Sequence, residues 1–209
     1  NDGNHEIIEN SEDLNPGSVN DEWCGTTAGG YPISDGGLFL TFNDDNLVLL
    51  LHQRLKILGS PLRVFVDALF YTSLLRTESS YVIIEKSAPI ILDTLSSGRL
   101  EAIEGMRPGY WWIIQGVRNS NDYYTIGIDH GEIDTVYLQS IGDTTIKSGE
   151  AAAQSVFAPD GSKYARYSPA DDLFVFDFNK STGILSNYEK VHVADSGMIG
   201  GLAFSSNSQ

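Results

Sequence analysis

Cysteine occurs once in these 209 residues, at Cys24. A lone thiol excludes an internal disulfide and any cysteine-built metal site, and a buried position is expected for it. Basic residues are few: 13 Lys plus Arg against 28 Asp plus Glu give a formal charge of −15, with no basic block. Nucleic acid and anionic membrane surfaces are held by clustered cations, so neither is an expected partner. Apolar runs such as 47–51 and 90–92 fall far below the roughly 18 residues of a membrane-crossing helix. Membrane insertion is therefore not expected. The first twenty residues lack the basic and apolar stretches of a signal peptide. Helix signals are thin as well. Residues 47–58 have helix-compatible composition, but turn residues bound them and Pro61 follows. They read as a strand over 47–52 with a long exit loop.

β-Sheet chemistry is what the chain carries. Glycine is frequent, 21 of 209, and Tyr plus Phe number 19, as in aromatic strands joined by tight turns. The apolar period is two almost throughout. Phe174, Phe176 and Phe178 share one face of a strand over 173–179, and 38–42, 110–117 and 123–128 are similar short runs. Pro159-Asp160-Gly161, Asp129-His130-Gly131 and Asn43-Asp44-Asp45-Asn46 supply turns between such runs.

The strands come in sets of four: 38–42, 47–52, 69–75 and 81–91, then 100–104, 110–117, 123–129 and 135–141, then 153–158, 163–168, 173–179 and 187–193. A further set opens at 201–204. Matching positions recur at 47 residues (Phe157 to Phe204) and 50 residues (Tyr123 to Leu173). Four short strands every 40–50 residues predict an all-β chain of β-propeller blades, about four of them in an incomplete or open arrangement. A single twisted sheet cannot bury both faces, whereas stacked blades can. That accounts for strands apolar on both sides, such as Val64-Phe65-Val66. The chain reads as one partial propeller domain over 1–209, with an irregular N-terminal segment over 1–36.

The stretch from Ser155 to Tyr164, with its Phe157-Ala158-Pro159-Asp160-Gly161 core, resembles the PD40 turn of WD40-like propeller repeats of the TolB type. A degenerate copy spans 203–208, with Ser206 where the repeat usually has Pro. Residues 173–187, with Leu173-Phe174-Val175-Phe176-Asp177-Phe178 and Thr182-Gly183, resemble a propeller family of large secreted surface proteins of gliding bacteria. Segments 9–17, 30–39 and 99–114, the last with Trp111-Trp112, are similar to it too. Residues 76–81 are shorter than the usual hairpin, and 104–109 lack the common His-Ala-Asn-Gly-Arg-Asp pattern. Members of that family continue through more blades and end in a sorting domain of type IX secretion. The resemblance implies a fragment of a longer parent chain, placed extracellularly or on the outer cell surface, with the periplasm as the alternative. Expressed alone, such a fragment is expected to self-associate.

No constellation carries recognisable chemistry. There is no G-x-S-x-G, and Gly197, Gly200 and Gly201 do not fit a phosphate-binding fingerprint. His5, His52, His130 and His192 lie far apart without a metal-ligand spacing. Residues 1–6 alternate oxygen side chains as calcium loops do but lack the remaining ligands. Ser34-Asp35-Gly36 resembles a sialidase Asp-box with the wrong spacing. Asp67, Asp129 and Asp177 are expected to cap turns or accept main-chain N–H groups. Tyr110, Trp111 and Trp112 can stack on a sugar, but filling the core between blades is the favoured role. The expectation is accordingly no catalytic, cofactor-binding or metal residue, and a non-catalytic module that binds an unknown protein or glycan or serves as a scaffold. The alternatives are a propeller hydrolase or lactonase with a channel calcium, and a TolB-like periplasmic protein-binding propeller.

Overall fold

The computed structural model describes residues 7–24, 31–42, 46–58, 63–78, 80–145, 154–169, 171–193 and 201–208. Expectations for His5, the 1–6 loop, the Cys24 side chain, residues 43–45, Ala153, Gly197 and Gly200 lie outside the described residues. Among those described, twelve strands build three four-stranded antiparallel sheets, each a meander in which every strand pairs with its sequence neighbour. No sheet closes into a barrel, and helix amounts to 4%. The chain is all-β, and its sheets are compatible with propeller-like blades.

The chain divides into two compact units. The first comprises residues 1–33 and 37–94 and holds β1 (Gly37–Thr41), β2 (Leu47–Leu58), β3 (Arg63–Arg76) and β4 (Tyr81–Ile91). The exit loop expected after residue 52 does not exist. β2 continues to Leu58, and residues 53–58 pair with β3 as far as Arg63. Burial decides this: Gln53 and Leu55 are inside, and an equally long partner strand overrides weak local signals. β3 correspondingly takes in Val64-Phe65-Val66. A bulge falls where Arg54 pairs with Ala68 and Leu55 with Val66, which leaves Asp67 unpaired in the ladder. Arg54 fills the gap by donating to both Asp67 carboxylate oxygens, at 2.8 and 3.0 Å.

Residues 8–19 pack against this sheet as a strap. Ile8 and Val19 are buried, Ser87 Oγ donates to the Leu14 carbonyl at 2.7 Å, and Lys86 Nζ donates to Asn10 Oδ1 at 3.2 Å. A single π-helical turn, Asn20–Cys24, follows.

The second unit comprises residues 34–36 and 95–209. Its sheets are β5 (Glu101–Glu104), β6 (Tyr110–Gly116), β7 (Asp122–Asp129) and β8 (Glu132–Ser140), then β9 (Gln154–Phe157), β10 (Lys163–Ser168), β11 (Asp172–Asn179) and β12 (Ile184–Val191). The two stack through a shared aromatic core. Tyr110, Trp112, Ile114 and Tyr123 of the first sheet meet Tyr164, Phe174, Phe176, Phe178 and Leu185 of the second. Tyr123 sets its ring against Phe176 at 5.4 Å and 69°, an edge-to-face arrangement that adds to area burial. The period-two reading of Phe174, Phe176 and Phe178 is realised here, and so is the core role of Tyr110 and Trp112.

Turn chemistry fixes the hairpins. His130 and Gly131 both have positive φ, 48° and 89°, the type I′ geometry that matches strand twist. Gly161 in the Pro159-Asp160-Gly161 turn has φ 73°, and Asp160 Oδ1 accepts from the Ser162 N–H at 2.8 Å. The expected strand at 201–204 does not form. Instead the Leu202 N–H donates to Gln154 Oε1 at 2.7 Å, so this stretch is held to β9 by a side chain rather than a ladder. The described residues thus contain three complete sheets, and the fourth set suggested by the repeat has no strand.

Candidate functional site

A cleft in the second unit opens between the β5–β6 loop and the β11–β12 turn, with a volume of 540 Å³. Its floor is Tyr110 and Trp112, alternate residues of β6. Its rim carries Met106, Arg107, Asp134, Tyr137, Ser181 and Thr182. Met106 is 71% exposed.

Side chains of the first sheet bind main-chain atoms of the β11–β12 turn and so fix the cleft's width. Trp112 Nε1 donates to the Lys180 carbonyl at 2.8 Å, and Tyr137 Oη donates to the Thr182 carbonyl at 2.8 Å. Gln139 Oε1 accepts the Leu185 N–H at 2.9 Å, while its Nε2 donates to Thr125 Oγ1 at 2.6 Å. The turn closes with Gly183 at φ 73°, where a β-carbon would lie 2.7 Å from the Trp112 ring. Only glycine meets both demands.

Charges at the site are paired. Arg107 lies 4.6 Å over the Tyr110 ring and reaches Asp129 Oδ2 at 3.3 Å. His130 Nδ1 meets Asp129 Oδ1 at 2.8 Å. Tyr110 Oη donates to Asp134 Oδ2 at 2.8 Å. Burial, followed by that hydrogen bond, holds the Tyr110 phenol well above its usual range, so it stays a donor at any ordinary pH. Chemically the cleft offers an apolar floor, hydroxyls and fixed main-chain dipoles, with its carboxylate Asp134 occupied by the Tyr110 hydroxyl.

The three aspartates expected to cap turns are ion-pair partners instead. Asp67 pairs with Arg54 at 2.8 Å and Lys56 at 3.6 Å, Asp129 with Arg107, and Asp177 with Lys163 at 2.7 Å. Each lies within or at the end of a strand, and its cation comes from the neighbouring strand for Asp67 and Asp177 and from the β5–β6 loop for Asp129. His52 belongs to the first unit, beneath the strap. His130 stands at the β7–β8 hairpin and His192 just past the end of β12, 3.0 Å from Asp172. No group of three metal-ligating side chains exists among the described residues. Ser34 and Asp35 form a turn beside β5, where the Leu100 N–H donates to the Asp35 carbonyl at 3.3 Å. The core role expected for Trp111 does not hold: it is half-buried, because alternation puts it on the opposite face of β6 from Trp112.

Sequence reasoning missed a second polar region between the same two sheets. Arg166 is 2% exposed, sits 5.8 Å over the Tyr123 ring and 5.6 Å over that of Phe174, and donates to Tyr123 Oη at 3.3 Å. The signal was there: in Tyr164-Ala165-Arg166-Tyr167-Ser168 a cation holds a core-facing position of the alternation. No family model, curated protein or solved structure matches this chain. Fold and cleft define an all-β chain of meander sheets with a braced surface cleft. Among the described residues, no helix is long and apolar enough to cross a membrane.

Proposed function

We propose that this chain is a non-catalytic recognition module of the WD40-like propeller type, part of a secreted or cell-surface protein. It takes a protein or glycan ligand in the cleft above Tyr110 and Trp112. The observation that carries this reading is the bracing of the cleft. Its one lining carboxylate, Asp134, accepts from Tyr110, and its Arg107 is held by the neighbouring Asp129, which suits a preorganised binding surface better than proton transfer. The Pro159-Asp160-Gly161 and Thr182-Gly183 segments behind the resemblance both form turns of one sheet, and the second rims the cleft. Resemblance to secreted surface proteins of gliding bacteria, including those of type IX secretion, supports an extracellular or outer-surface location.

The test is titration of the protein with a panel of oligosaccharides and extended peptides, read by tryptophan fluorescence and calorimetry. Binding that is lost in Met106→Ala and Arg107→Ala is expected. Turnover of chromogenic ester, lactone or glycoside substrates, abolished by Asp134→Asn, would overturn the non-catalytic reading in favour of a hydrolase.

A further inference from the structure

We propose that residues 8–19 form an acid-released strap, locked across the β1–β4 sheet at neutral pH by the unprotonated ring of His52. The lock lies within the first unit and is independent of the cleft.

His52 lies on β2, 4% exposed, with both ring nitrogens committed. Nδ1 is 2.8 Å from Asn15 Oδ1 on the strap, and Nε2 is 3.0 Å from Thr72 Oγ1 on β3. An amide oxygen only accepts, so Nδ1 carries the proton and Nε2 accepts from the Thr72 hydroxyl. Thr72 Oγ1 in turn accepts the Ser87 N–H of β4 at 3.0 Å. One relay therefore runs from β4 through β3 and β2 to the strap. A proton on Nε2 turns that nitrogen from acceptor to donor, so the Thr72 hydroxyl hydrogen loses its acceptor and a charged ring is left buried without a counter-ion. The cost is high because the ring packs 5.8 Å from Phe70 rather than against a carboxylate.

Burial lowers the His52 pKa from 6.5 to about 4 while the strap is docked. Freed of the strap, the ring returns to its ordinary value. Because the docked value is the depressed one, the ring's contribution to docking is complete above pH 6.5. It declines as pH falls, and is lost through pH 4. The ring itself touches the uncharged Asn15, Thr72 and Phe70. Charged residues of the surrounding elements are Glu9, Glu12 and Asp13 of the strap, Arg54 and Lys56 of β2, Arg63, Asp67 and Arg76 of β3, and Glu85 and Lys86 of β4. Arg54 and Asp67 are paired with each other, and Glu85 accepts from Tyr71 Oη at 2.8 Å. Residues 7–24 carry five carboxylates and no Lys or Arg.

Amide exchange of the strap in the whole protein, corrected for intrinsic rates, tests this. Between pH 7 and pH 4.5 the opening constant of residues 8–19 should rise roughly 50-fold, while His52→Gln, neutral throughout, should change only a few-fold. An equal rise in the variant would assign the effect to the strap carboxylates and overturn the proposal. Should the variant fail to fold, ring titration of the wild-type protein decides. A His52 ring that stays neutral until the strap amides open supports the lock, and one that titrates near pH 6.5 beneath a protected strap rejects it.

Discussion

Glu101, at the start of β5, is the carboxylate among the described residues whose surroundings most oppose ionisation. Burial, and next the nearby Asp35 charge, raise its pKa from 4.5 to about 7. The folded chain therefore holds this proton more tightly than the unfolded one. The stability that results is complete below about pH 4.5 and is lost as pH rises through 7. Glu101→Gln removes the loss. Urea unfolding should find the variant more stable than the parent by about 1 kcal/mol at pH 8, with the two curves converging near pH 4.5. A constant difference across that range would mean that Glu101 ionises freely in the fold. Its signal in the sequence was faint, since Glu101-Ala102-Ile103-Glu104 reads as an ordinary alternating strand and Asp35 lies 66 residues earlier.

At the level of the element, the interface between the β5–β8 and β9–β12 sheets depends on side chains that bond main-chain groups of the neighbouring sheet. Gln139 is the most committed, with a carbonyl oxygen on the Leu185 N–H and an amide on Thr125 Oγ1. Gln139→Ala leaves both partners without it and should cost about 1–3 kcal/mol. Hydrogen exchange should show β12 opening more readily than β6 or β7. Unchanged β12 protection would show that the aromatic core alone holds the sheets together. Sequence patterning located these strands well wherever an alternating run met a glycine-containing turn, as at Asp129-His130-Gly131. It faltered where long-range pairing decides. β2 keeps its ladder to Leu58 because β3 is long enough to meet it. Residues 201–204 have strand-like composition but bond to the Gln154 side chain instead. The cleft was legible only in part. Tyr110 and Trp112 were read as core, correctly, but bracing by Arg107, Tyr137 and Gln139 joins residues that no local pattern connects.

For the molecule as a whole, charge is the dominant long-range term. With 28 acidic and 13 basic side chains, like-charge repulsion opposes compaction. The ion pairs are mostly exposed, as Lys163 and Asp177 are, at 41% and 42%, and such pairs add little. Screening should therefore relieve more repulsion than it removes attraction. Raising NaCl from about 20 to 300 mM shortens the Debye length from roughly 20 to 6 Å and should raise the urea midpoint, by about 1 kcal/mol in stability at constant pH. A midpoint that falls with salt would place the weight on Arg54–Asp67 and similar pairs instead.

The bonds that brace the cleft end on the carbonyls of Lys180 and Thr182, which every residue possesses. The side chains at 180–182 can therefore be exchanged without unfastening the turn, so long as Gly183 remains. Lineages, or a directed library, can rewrite the chemistry of this rim while its position in space is inherited unchanged.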